Sequence, residues 1–176
     1  GGVSAFQFRE RMSASRLGSD VTYSVDARGD ARVEMVNKTY FVDAETEKNF
    51  DGAVARLGQP DVQPFQKGVE DSLKNVSAGR EMSVSDFSAS FEREKDYGAQ
   101  VYRFRWSGFA QPLDGAWVVD FSRAKPMKFT KDSSLVIVLP SGSTLVKAEP
   151  APTAQEGNRL VWASVGELPW PRVEDR

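Results

Sequence analysis

Phe87-Ser88-Ala89-Ser90-Phe91 and Tyr102-Arg103-Phe104-Arg105-Trp106 are the two stretches that decide the fold. In each, an apolar side chain returns at every second position, the period of a strand that turns one face to a core. Lys95-Asp96-Tyr97-Gly98 lies between them and supplies turn chemistry, so the pair reads as a β-hairpin. Upstream, Met82 and Val84 sit on the opposite parity from Phe87, which predicts a bulge or strand break near Ser85-Asp86.

Working outward, Val21, Tyr23 and Val25 alternate with polar residues, and Val33 and Met35 resume the alternation toward Phe41. Arg28-Gly29-Asp30 between them predicts the turn of another hairpin; the same tripeptide matches an integrin-binding motif, but turn chemistry explains it without a receptor. A helix follows, with Asp43 as N-cap, Phe50, Ala53, Val54 and Leu57 on one face, and Gly58 and Pro60 as its end. The next helix opens at Asp61 or Gln63, carries Phe65, Val69, Leu73 and Val76 as a stripe and closes at Gly79. Both stripes are expected to be core faces packed on a sheet.

Downstream, Trp117, Val119 and Phe121 read as a half-buried strand, and Leu135 to Leu139 as one buried on both faces. Leu145 to Ala148 and Leu160 to Ala163 add short strands around Pro150-Ala151-Pro152, while the prolines of Leu168-Pro169-Trp170-Pro171 exclude regular structure. The fold class is therefore α+β: antiparallel hairpins and a meander, with two amphipathic helices inserted after the first hairpin. Residues 20–171 are expected to form one domain. Residues 1–19, with Phe6, Phe8 and Met12, are left unassigned, and 172–176 are expected to be a tail that leads to a membrane tether.

Composition narrows the chemistry. The 176 residues suit one core, 40% are hydrophobic and 27% charged, and the net charge of −2 gives no reason to expect a nucleic-acid partner. There is no His and no Cys, which removes the neutral-pH proton shuttle, the thiol nucleophile, and the imidazole and thiolate metal ligands. No metal or other cofactor is expected. The longest apolar run, Leu135 to Leu139, is far short of the roughly 18 to 20 residues of a membrane span.

Motifs are few. Ser122-Arg123-Ala124-Lys125 matches the S-x-x-K pattern of penicillin-recognising enzymes but follows a strand and lacks the companion elements. Asp114 and Asp120 flank the Trp117 strand and could imitate a glycoside-hydrolase pair, though Asp114-Gly115 is also turn chemistry. Asn37-Lys38-Thr39 and Asn75-Val76-Ser77 are sequons, so Asn37 and Asn75 are glycosylation candidates. Trp106, Trp117 and Trp162 share parity with apolar neighbours and are expected in the core; Trp170 is expected at the surface. The segment from Arg123 to Lys131 concentrates Arg123, Lys125, Lys128 and Lys131 around Met127 and Phe129, and is expected to be an exposed loop that touches an anionic partner.

Gly79 to Val84, Tyr97-Gly98 and Val101 to Ala110 resemble an uncharacterised family of archaeal cell-surface domains, as do Leu139-Pro140-Ser141-Gly142, Pro150, Pro152 and Leu160-Val161-Trp162. The resemblance runs from about Tyr23 to Pro171. It implies an exported domain joined to a C-terminal transmembrane helix, in some proteins with a cytoplasmic winged-helix segment beyond it, and carries no catalytic residues. The expected function is a non-enzymatic extracytoplasmic recognition or sensory domain of a membrane-anchored surface protein, with a surface protein, a glycan or an anionic headgroup as partner. A carbohydrate-active enzyme using paired carboxylates is the alternative.

Overall fold

A computed structural model describes residues 15–77 and 80–176. In chain order its elements are β1 (Leu17–Val25), β2 (Ala31–Tyr40), α1 (Ala44–Leu57), α2 (Val62–Val76), β3 (Ser83–Arg93), β4 (Tyr97–Ser107), β5 (Gln111–Leu113), β6 (Ala116–Val119), β7 (Met127–Phe129), β8 (Ser134–Val138), β9 (Leu145–Glu149), β10 (Ala154–Glu156), β11 (Arg159–Trp162), β12 (Gly166–Leu168) and β13 (Arg172–Asp175). The fold is α+β, as the alternation predicts. Seven strands form one sheet in the order β10-β11-β8-β1-β2-β4-β3, four form a second in the order β5-β6-β13-β9, and β12 pairs with β7.

Both expected hairpins form. In the first, Asp26 organises the turn by accepting from the Arg28 and Asp30 amides, and Gly29 adopts φ +85°. A Cβ on Gly29 would meet the Ala110 carbonyl oxygen at 2.5 Å, so glycine is required there. The Asp30 carboxylate is engaged by the Arg105 guanidinium and the Gly108 amide, each at 2.9 Å, and so ties the first hairpin to the end of β4. The Arg28-Gly29-Asp30 string is structural in this setting.

β4 lies between β2 and β3, with Val33 opposite Phe104. The register of β3 slips between Ser85 and Ser88, with Asp86 at φ +58°. This extra residue lets Val84, opposite Trp106, and Phe87, stacked on Phe104, reach the same face despite their opposite parity.

β8 runs parallel to β1, with Leu135 opposite Val21 and Ile137 opposite Tyr23. It is the central strand that the unbroken apolar run forecasts: Leu135, Val136 and Ile137 are all buried. One face of the large sheet, carrying Tyr23, Val33, Phe104, Trp106, Ile137 and Leu160, forms the core with Phe109, Val119, Phe121 and Val173 contributed around the four-stranded sheet.

The strands correct several expectations, including irregular structure at Leu168, which ends β12 and pairs with Met127. Residues 172–175 form β13, with strand partners on both sides, Val173 fully buried and Asp175 2% exposed, so the domain does not stop at 171. Arg123 to Lys131 is not wholly loop, because Met127–Phe129 pairs with Gly166–Leu168 and buries Phe129. The Trp117 strand ends at Val119, and Phe121 enters the core from beyond it.

The helices begin where their caps predict. Asp43 accepts from the Thr46 amide at 2.7 Å and Asp61 from the Gln63 amide at 3.0 Å. α1 ends at Gly58 as expected; α2 is capped by Ser77, and the expected closing residue Gly79 lies outside the described residues, as do Phe6, Phe8 and Met12. Gly98 leaves room for the α1 ring of Phe50, which a Cβ would meet at 2.5 Å. Neither helix, however, has a fully buried residue. Their apolar stripes are not the sealed core faces that the periodicity suggested: Phe50, Ala53 and Val54 of α1 and Phe65, Val69, Leu73 and Val76 of α2 are half-buried, and Leu57 is exposed.

Candidate apolar site

An apolar cleft of about 460 Å³ opens where α2 fails to close. Tyr23, Met35, Phe104 and Trp106 of the large sheet line it below; Phe121, Ala124 and Trp170 line it on the side of the small sheet. The remaining wall is α2, through Phe65, Gly68, Val69, Ser72 and Val76, positions whose spacing places them on one helical face. Two of these are small. A Cβ built on Gly68 would find nothing within 4 Å, so space that a bulky residue could enter is left open. Ring contacts hold the helix over the sheet: Phe65 stacks on Tyr102 at 3.9 Å and lies edge-on to Phe104 at 6.0 Å.

The lining includes only a few polar groups. Trp106 Nε1 is buried and has no acceptor among the described residues. Burial raises the pKa of the Tyr23 phenol above its ordinary value, so the hydroxyl stays neutral. The cleft is therefore a low-polarity cavity of the size that encloses a small organic molecule.

Two smaller cavities adjoin it. One, of about 370 Å³, is lined by Val21, Met127, Phe129 and Leu135, and shares Tyr23, Met35 and Trp170 with the cleft. The other, of about 200 Å³, shares Val76 and Phe121 and is polar, with Arg80, Asp120, Ser122 and Arg123 around it. Arg80 donates to the Asp120 carbonyl at 2.9 Å and lies over the Phe121 ring at 5.4 Å, and forms no ion pair among the described residues.

Of the residues singled out from sequence, Trp170 belongs to the site but is not at the surface in the manner expected. It is half-buried, 5.5 Å from Tyr23 and 5.1 Å from Phe121 between ring centroids, and packs against the core. Arg123 is exposed and borders the polar cavity; Lys125 and Lys131 are exposed away from these cavities. Lys128 is exposed at the edge of the second cavity, on the strand parity opposite to Met127 and Phe129. Asn75 is exposed on α2, whereas Asn37 is half-buried in β2 and accepts from Ser19 Oγ. Trp106 and Trp162 are buried as expected, and Trp117 is half-buried against the core.

The sequence-level catalytic pairings are not assembled. Asp114 sits at φ +51° in the two-residue turn between β5 and β6, while Asp120 caps the turn after β6 by accepting from the Ser122 amide. The intervening strand, at about 3.3 Å per residue, holds them farther apart than the roughly 5 to 9.5 Å of a glycosidase pair. Ser122 and Lys125 lie on a turn and the segment after it, with no helix to bring them together.

The opposite face of the large sheet has a broader, polar concavity of about 650 Å³ with Arg32, Arg103, Arg105 and Arg159. Much of its charge is internally compensated: Arg103 pairs with Glu34 at 3.0 Å and Glu92 at 3.2 Å, and Arg105 with Asp30 at 2.9 Å. Among the described residues no group of carboxylates, His or Cys is arranged to hold a metal ion, and no helix is long and apolar enough to cross a membrane.

No curated protein matches the chain. A family model described as a domain of unknown function matches residues 16–175, taking in every strand and both helices described above, and the chain belongs to that family, DUF4897.

Proposed function

We propose that the domain is a non-enzymatic recognition module that encloses an apolar small molecule between α2 and the small sheet. The observation that carries this reading is the cleft of about 460 Å³, floored by aromatic rings and walled by a helix with no fully buried residue. Unfilled apolar surface forfeits dispersion contacts, and a ligand that supplies them stabilises the folded state. The proposal includes an extracytoplasmic, membrane-anchored setting in an archaeal surface protein, where ligand capture would serve sensing; the resemblance of residues 79–110 and 139–162 supports that part.

The neutral dye N-phenyl-1-naphthylamine tests the cleft. The protein is expected to bind it saturably with a rise in emission, and Ser72→Trp and Ala124→Trp, which place indoles in the opening from opposite walls, are expected to reduce binding at least tenfold while the thermal transition stays cooperative. Saturable binding that neither variant alters would remove the cleft from the account. Surface labelling of the full-length protein in intact cells tests the extracytoplasmic setting.

A further inference from the structure

We infer that the site takes an anionic amphiphile with one long apolar chain, its headgroup at Arg80 and Arg123 and its chain in the cleft. This rests on the reading above and specifies the ligand class. The first support is adjacency. The polar cavity and the cleft share Val76 and Phe121, so the cations border one end of an apolar space. At another border, Tyr23, Met35 and Trp170 separate the cleft from the second apolar cavity. Met35, with an unbranched and adaptable side chain, is the member of that partition best able to move aside for an elongated chain.

The second support is unspent hydrogen-bonding capacity next to the apolar space. Arg80 gives one N–H to the Asp120 carbonyl and rests its guanidinium over Phe121; no carboxylate among the described residues engages it. Arg123 is exposed and, among the described residues, also forms no ion pair, and Ser122 supplies a hydroxyl at the same cavity. The one carboxylate there, Asp120, has an oxygen 3.6 Å from Arg172 and accepts from the Ser122 amide with the other, which offsets its repulsion of an incoming anion. Two guanidinium groups beside an apolar cleft favour a carboxylate or phosphate over a neutral headgroup, because charge-assisted hydrogen bonds are about twice as strong as neutral ones.

The proposal commits to a single free chain with a carboxylate head. Monomeric dodecanoate and dodecanol, titrated by displacement of N-phenyl-1-naphthylamine from the whole chain, separate chain from headgroup. Dodecanoate is expected to bind about tenfold or more tightly than dodecanol, the size of one charge-assisted contact. Arg123→Gln and Arg80→Met should each weaken dodecanoate more than dodecanol, and so reduce that preference, with far-ultraviolet dichroism unchanged. Met35→Trp should weaken dodecanoate more than hexanoate. Equal affinity for acid and alcohol, or a preference that survives both arginine variants, overturns the inference while the apolar cleft stands. Failure of the dye itself to bind would instead overturn the underlying reading. Flotation with phosphatidylglycerol vesicles without uptake of monomeric dodecanoate would assign these cations to a membrane surface and also overturn it.

Discussion

The two covers on the inner face of the seven-stranded sheet are finished differently. In the core that the two sheets share, Ile137 and Leu160 of the large sheet and Phe109 and Val173 around the small one are 0% exposed, whereas neither α1 nor α2 contains a fully buried residue. Tyr23 stacks on Phe109 at 4.8 Å, Trp106 meets Phe121 at 5.0 Å, and the Trp162 indole donates to the Pro150 carbonyl at 2.9 Å. On the helical side, Phe65 and Phe50 anchor their helices to rings of the sheet and of the chain near its edge, but Gly68 and Ser72 leave the next part of α2 without bulk. The contrast separates two tasks. Close packing under the small sheet maintains the fold; incomplete packing under α2 leaves room for a ligand.

Truncation should expose this difference most strongly. Phe109→Ala is expected to cost about 3 to 5 kcal/mol in urea unfolding, the range for a fully buried ring. A loss below about 1 kcal/mol would break the comparison at its sealed half. Leu73→Ala, on the half-buried stripe of α2, should cost about 1 kcal/mol, since part of its surface is in water already. A cost equal to that of Phe109→Ala would mean that the helix is as much a part of the sealed core as the sheet.

A smaller effect comes from Asp175. It is 2% exposed, its Oδ2 has no hydrogen-bond partner among the described residues, and burial pushes its carboxyl above the usual carboxylate range, with Ser143 opposing the shift. A raised folded-state value means that the folded chain holds the proton more tightly than the unfolded one. Stability from this group is then fully present below the ordinary value of about 3.9 and is lost as pH rises through the folded-state value. Asp175→Asn should therefore be more stable than wild type at pH 7, with the advantage shrinking on acidification. Unfolding curves at pH 4 and pH 7 check the sign, and a variant less stable at pH 7 would contradict it.

Much of this architecture was legible because its signals are local. Period-two apolarity gives both hairpins, Asp43 gives one helix start and Asp61 or Gln63 the other, which the structure resolves to Asp61, and the parity change before Phe87 gives a bulge or break, which is a bulge. The parallel pairing of β1 with β8 leaves no such trace, since its partners are far apart in sequence. β13 escaped because Arg172-Val173-Glu174-Asp175 has one apolar residue; it is a strand by virtue of partners on either side. At the site, Trp170 and Arg123 were visible as residue types, but Arg80 was not, because the polar cavity exists only once Val76 and Phe121 meet beside it. Gly68 and Ser72, small residues beside the apolar stripe of Phe65, Val69, Leu73 and Val76, were the available sign that α2 faces a space.

Site-resolved hydrogen exchange, with and without dodecanoate, tests the central claim that α2 is the unfinished cover of a ligand cleft. Without ligand, amides of Val62–Val76 are expected to exchange faster than those of β1 and β8; with ligand, α2 should gain protection while β8 and β11 remain unchanged. Protection of α2 that already equals that of the central strands, or that saturating dodecanoate does not change, would contradict the account.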